Sequence, residues 1–204
     1  MPTKRMEKMM KTVRLIPVLL ATLLAAPVFA QTAATEARRD VQQQQRIENG
    51  LQSGQLNTRE AARLEREEGK VDRAEAQAMK DGRLSQSERT RIARMQDRAS
   101  RDIYAEKHDA QTGNPDSASS RRMQGDVQRN ISQEQRIENG LKNGSLTKHE
   151  AGKLERGQAK VDRQEFRAGR DGRVGGFEQR QVQRGENRQS LRIRHERNDR
   201  QHRG

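Results

Sequence analysis

An all-α fold is predicted by three observations: a gapless internal duplication, glycine-led motifs that stop one helix and start the next, and apolar residues at helical spacing. Together they give two tandem copies of a three-helix antiparallel unit with short capped turns, joined by a flexible linker. The duplication is the strongest of the three. Arg46-Ile47-Glu48-Asn49-Gly50-Leu51 recurs as Arg136-Ile137-Glu138-Asn139-Gly140-Leu141, and about 31 of 70 positions aligned at this offset are identical.

Residues 1–30 read as a signal peptide. Lys4, Arg5, Lys8, Lys11 and Arg14 precede an apolar run from Leu15 to Ala26, too short to span a bilayer comfortably, and Val28 and Ala30 set a cleavage site after Ala30. The mature chain is then expected in the periplasm. Without Cys it carries no lipid anchor, disulfide or thiol chemistry.

The first helical repeat occupies 31–110, with helices expected over 37–53, 58–80 and 86–106. Its turns are Gly54-Gln55-Leu56-Asn57-Thr58-Arg59-Glu60 and Gly82-Arg83-Leu84-Ser85-Gln86-Ser87-Glu88. Gly54 and Gly82 suit the left-handed position after a helix. Asn57 and Ser85 suit N-caps, with Glu60 and Glu88 closing capping boxes and Leu56 and Leu84 as staples. Ala61, Leu64, Val71, Ala74 and Ala78 mark a thin apolar stripe on an otherwise charged helix.

Residues 111–125, rich in Gly, Pro, Ser and polar groups, read as the linker. The second repeat spans 126–199, with helices expected over 127–143, 148–170 and 177–197. Gly144, Thr147 and Glu150 repeat the turn, and Gly172 and Glu178 keep a degraded version of it, while Ala151, Leu154, Val161 and Ala168 repeat the stripe. Residues 200–204 form a basic, disordered end. Each unit buries only a strip of Leu, Val and Ala, so docking of the copies or self-association is expected to supply the missing stability.

Composition limits the chemistry. The 204 residues hold 42 Lys+Arg against 29 Asp+Glu, with 29% hydrophobic residues and no Trp. No catalytic triad, phosphate loop or HExxH pattern occurs, and neither an enzyme nor a cofactor is implied. The turns resemble EF-hand loops at Gly82, Leu84 and Glu88. Their first and third ligand places hold Gln77 and Met79, Asn49 and Leu51, Asn139 and Leu141, or Arg167 and Gly169, so calcium binding there is not expected. In a helical tail His195, Asp199 and His202 would share a face suited to zinc, nickel or copper. Arg180, Arg184, Arg188 and Arg192 recur every four residues and, with Arg197 and Arg200, form a candidate polyanion-binding stripe. Aromatic residues for base stacking are absent, so no specific nucleic acid is expected.

These turn motifs resemble a group of uncharacterised exported proteobacterial proteins built from Gly-x-Leu-Thr-x-x-Glu hairpins and Asp-Gly-Arg-Leu-Ser turns, over nearly the whole mature chain. A looser similarity, through Leu146-Thr147-Lys148-His149-Glu150, is to periplasmic LTxxQ-type stress chaperones. The resulting expectation is a non-enzymatic, chaperone-like binding or stress-response protein that contacts proteins or anionic envelope components. The alternative is a periplasmic metal-binding protein that uses the tail histidines.

Overall fold

The computed structural model describes residues 28–199, and the side chains from Ala33 onward. The described chain is helical, with six helices: α1 (Val28–Ser53), α2 (Thr58–Ala78), α3 (Gln86–Lys107), α4 (Ala118–Asn143), α5 (Lys148–Gly169) and α6 (Gly176–Asn198). Corresponding helices start 90 residues apart, so the structural repeat reaches further toward the N-terminus than the expected helix starts at 37 and 127.

The turn chemistry sets these boundaries. Gly54, Gly82, Gly144 and Gly172 all have positive φ, a conformation that penalises a Cβ. Asn57, Ser85 and Thr147 cap α2, α3 and α5, and Glu60, Glu88 and Glu150 return a bond to the cap backbone. At α6 only half of the box survives: Gly175 N–H donates to Glu178 Oε2 at 2.7 Å, but Gly175 has no side chain to answer. Each first turn also folds back, with Leu56 N–H donating to Gly50 O and Leu146 N–H to Gly140 O, at 2.9 and 3.0 Å. Both leucines are fully buried.

The connection between copies departs from the expected flexible linker. Residues 118–125 belong to α4, which Ser117 caps. The shorter segment before it is tied down: Gly113 N–H donates to Gly54 O at 2.8 Å, and a Cβ on Gly113 would fall 2.3 Å from Leu56 O.

The two copies are interleaved. The most extensive helix pairings are α2 with α5 and α1 with α4, each joining equivalent helices of different copies. Ala62 faces Gly169, Gly69 faces Asp162, and Gly152 faces Met79. Contacts that descend one helix as they ascend the other make α2 and α5 antiparallel, about a local two-fold relation. Small residues at these crossings let the backbones approach closely.

Two apolar clusters result, and each draws on both copies. One combines Ile47, Leu51, Leu56, Leu64 and Ile103 with Met123, Val127, Val174 and Val182. The other combines their counterparts Ile137, Leu141, Leu146, Leu154 and Ile193 with Ala33, Ala37, Leu84 and Ile92. Neither copy therefore owns a complete core.

Candidate functional site

Between the two apolar clusters, at mid-height of α1, α2, α4 and α5, the interior is acidic. Fourteen Asp and Glu side chains are buried, whereas no Lys, Arg or His is buried among the described residues. Three of the fourteen have ordinary structural work. Glu60 and Glu150 close capping boxes, and Glu138 pairs with Arg38 at 3.0 Å and with Lys142 at 2.5 Å. Burial opposes ionisation of Glu138, but its two cationic donors still hold it below the usual carboxylate range.

The other eleven lack such compensation. α2 turns Glu65, Glu68, Asp72 and Glu75 inward at spacings of three and four, and α5 turns Glu155, Asp162 and Glu165 inward at the corresponding positions, with Gln158 where α2 has Glu68. Asp40 comes from α1, Asp126 and Glu134 from α4, and Glu186 from α6. Glu186 alone among them forms an ion pair with a described residue, Arg129 at 3.2 Å.

Two sub-clusters bring their carboxylate oxygens within 4.8 Å of one another: Glu65 with Asp162 and Glu165, and Asp72 with Glu134 and Glu155. Two members of each are counterparts under the 90-residue repeat, Glu65 matching Glu155 and Asp162 matching Asp72, whereas Glu165 matches Glu75 and Glu134 matches Gln44. The first is lined by amides. Gln44 Nε2 donates to Glu65 Oε2 at 2.9 Å, and Asn130 Nδ2 donates to Glu165 Oε2 at 2.9 Å and to Glu65 Oε2 at 3.3 Å. The second has acids at the matching positions, Glu134 for Gln44 and Asp40 for Asn130. Its amide donor is Gln96, whose Nε2 reaches Asp40 Oδ1 at 2.9 Å and Glu75 Oε1 at 3.1 Å.

Removal from water without neutralisation makes the charged form costly. Burial pushes Asp40, Glu65 and Asp126 up to about 7 and Glu186 up to about 8. Glu68, Asp72, Glu75, Glu134, Glu155, Asp162 and Glu165 are raised well above the usual range, first by desolvation and then by one another's charge.

Hydrogen bonding leaves this band incomplete. Both carboxylate oxygens of Glu68 and of Glu155 are buried without a partner. Glu68 faces Asp40, Glu65, Asp72 and Glu134, between the two sub-clusters. Gln158, a neutral side chain that is 1% exposed, reaches Glu134. Buried orphan groups such as those of Glu68 and Glu155 cost about 1–3 kcal/mol each and call for a ligand or proton to satisfy them.

The expected site residues lie elsewhere. His195 is exposed, and Asp199 gathers with Glu150 and Glu196 instead of with that histidine. His202 and Arg200 fall outside the described residues. Arg180, Arg184, Arg188 and Arg192 are all exposed along α6, whereas Arg197 is half-buried beside Ser145. A second basic surface was not anticipated from the tail: Arg66, Lys70, Arg73, Arg163 and Arg167 line a groove with Phe166 over the α2–α5 seam. The same two helices thus carry acids inward and bases outward. No helix is long and apolar enough to cross a membrane among the described residues. Comparisons with family models, curated proteins and solved structures return no match.

Proposed function

We propose that the chain is an exported, non-enzymatic binding protein whose buried carboxylate band takes up hard, oxygen-preferring cations such as Ca²⁺, Mg²⁺ or Mn²⁺. The observation that carries this reading is the burial of eleven carboxylates with one ion pair among them in the described residues, several of their oxygens having no hydrogen bond. Carboxylate and amide oxygens without Cys or His suit hard cations, which use six or more such ligands. Two triads, each with its own carboxylate oxygens within 4.8 Å of one another, add the geometry.

Export rests on the leader over 1–30, and places the mature chain, from Gln31, in the periplasm. The test is calorimetric titration of chelator-stripped mature chain with Ca²⁺, Mg²⁺, Mn²⁺, Zn²⁺, Ni²⁺ and Cu²⁺. Hard cations should bind, and Asp72→Asn should weaken them while His195→Ala should not. Silence for all six would leave the band as a core of protonated acids. Binding of Zn²⁺, Ni²⁺ or Cu²⁺ alone, lost in His195→Ala, would return the site to the tail.

A second reading, compatible with the first, concerns the surface. Burial of the acids leaves the exterior strongly basic, which supports contact with anionic envelope components through α6 and the α2–α5 groove. Salt-sensitive binding to anionic vesicles, reduced by charge-neutralising changes at Arg180, Arg184, Arg188 and Arg192, tests it. Binding that is indifferent to salt would count against it.

A further inference from the structure

Burial of the acids leaves the outer face of α2 and α5 almost purely basic. We infer that this face is the protein's docking surface for an anionic lipid bilayer, on which both helices lie flat and hold headgroup phosphates without inserting into the hydrocarbon. This rests on the reading of the exterior as a contact for anionic envelope components, and it names the surface and the partner.

Charge is segregated by helix face. On α2, Arg59, Arg63, Arg66, Lys70 and Arg73 follow one another at spacings of four and three, and Glu67 is the only acid of that helix that is not buried. On α5, Lys153, Arg156, Lys160, Arg163 and Arg167 form a matching row, and every acid of that helix is buried. All of these bases are exposed except Arg73, which is half-buried. Arg63, Arg66, Lys70 and Arg73 correspond to Lys153, Arg156, Lys160 and Arg163 under the 90-residue repeat, so the rows are copies of one stripe. At the helical rise each row is about 21 Å long.

The rows meet over the seam. Arg66, Lys70, Arg73, Arg163 and Arg167 line a groove of about 360 Å³ whose wall contains no acidic residue. A concave site lined by one sign of charge focuses the field and favours a compact anion such as a phosphate group. Acids occupy only part of the α2 row: Glu67 pairs with Arg66 and Lys70, and Glu106 lies 4.0 Å from Arg63. Beyond Lys70 the surface continues along α3, where exposed Arg91, Arg94, Arg98 and Arg101 border the next cleft, although Glu67, Asp97 and Asp102 border it too. Positive charge therefore covers an area and not a line, which suits a sheet of headgroups better than a single polyanionic strand.

The face carries nothing to insert. The exposed large hydrophobic residues among those described, Tyr104, Phe177 and Leu191, belong to α3 and α6. Phe166 in the groove is half-buried under the Arg66 guanidinium, which lies 4.7 Å from its ring centroid. The same cover keeps Phe166 from stacking on a nucleic-acid base. Attachment is thus electrostatic, gaining about fivefold in affinity for each base that reaches the surface.

Co-sedimentation of the mature chain with phosphatidylglycerol–phosphatidylcholine vesicles, and with phosphatidylcholine alone, tests this over a series of salt concentrations. Binding should require phosphatidylglycerol and disappear at high salt. Lys160→Gln/Arg163→Gln/Arg167→Gln should weaken it at least about tenfold, and Arg184→Gln/Arg188→Gln/Arg192→Gln on α6 should weaken it less. Circular dichroism controls for folding, and Lys153→Gln/Arg156→Gln replaces the seam variant if that one unfolds. An α6 variant at least as damaging as the seam variant would overturn the seam as the docking face while leaving the envelope reading intact. Random-sequence duplex DNA bound through the seam, with vesicles ignored, would overturn the lipid as partner. No salt-sensitive binding to vesicles or DNA would overturn the envelope reading itself.

Discussion

Asp72 and Asp162, equivalent residues of the two copies, face each other across the α2–α5 seam, both buried and both raised well above the usual carboxylate range. Two buried carboxylates so placed repel each other unless a proton or a cation neutralises one of them, so a centre both fully ionised and free of cations is costly. The contact also lies where the local two-fold relation brings the copies together. It joins the architecture to the chemistry, since the antiparallel pairing that completes both apolar clusters also stacks one acidic helix face on another.

The metal-free chain should lose stability as the pH rises. Carboxylates raised by folding bind protons more tightly in the native state, so their contribution is fully present below the unfolded values near 4 and is lost as pH passes through the folded values. Asp40, Glu65 and Asp126 at about 7 and Glu186 at about 8 place part of that loss between about pH 4 and pH 8. Thermal melts in chelator should fall by roughly 10 °C between pH 5 and pH 8, as expected for a loss of several kcal/mol in a chain of this size. A flat profile would mean that the interior is already neutralised by other means.

Asp72→Asn should change stability and binding in opposite directions. Removing an acid from a repulsive, nearly isosteric setting stabilises the metal-free protein at pH 8, by about 1–3 kcal/mol. The same change deletes a ligand and should weaken cation affinity. A variant less stable than wild type in chelator at pH 8 would show that Asp72 is needed for the fold alone.

The degraded cap of α6 can be repaired. Gly175 has the extended backbone of an N-cap, and a Cβ there meets only Glu178 Oε2, at 3.1 Å. Gly175→Ser should complete the box and stabilise by a few tenths to about 1 kcal/mol, whereas Thr147→Ala should cost about 1 kcal/mol. Denaturant melts read both, and a destabilised Gly175→Ser would contradict the capping account.

A single copy should not fold as a monomer. Residues 31–110 supply only part of each apolar cluster, so this fragment should be unfolded when dilute and gain helix only by pairing with itself. Circular dichroism and sedimentation over a concentration series test this. A monomeric, cooperatively folded fragment would show that the repeat is self-sufficient.

Helix limits at the four glycine-led turns were legible because they depend on local chemistry, whereas the starts of α1 and α4 lie nine residues before the expected ones. Gly54, Gly82, Gly144 and Gly172 stop helices through their own backbone freedom, and Asn57, Ser85 and Thr147 start them through bonds within one turn. The stripe of Leu64, Val71 and Ala78 was equally readable, and all three are buried. The buried acids were harder to see, although Glu65, Glu68, Asp72 and Glu75 already fall on one helical face at spacings of three and four. In a chain with 35% charged residues, such a face reads as solvated. Its burial depends on which helix covers it, and that is a long-range fact: α5 brings a second acidic row where a basic one would have made ordinary salt bridges. Of the tail site suggested by local spacing, His195 is exposed and His202 lies outside the described residues.

Proton release on cation uptake tests the central claim most directly. At pH 6.5, carboxylates raised to 7 or above are largely protonated, so a cation entering the band must displace protons. Adding Mn²⁺ to chelator-stripped mature chain in weakly buffered solution should acidify it by at least about one proton per bound cation and raise the melting temperature. Absence of both proton release and stabilisation would contradict the assignment of the buried carboxylates as a cation site.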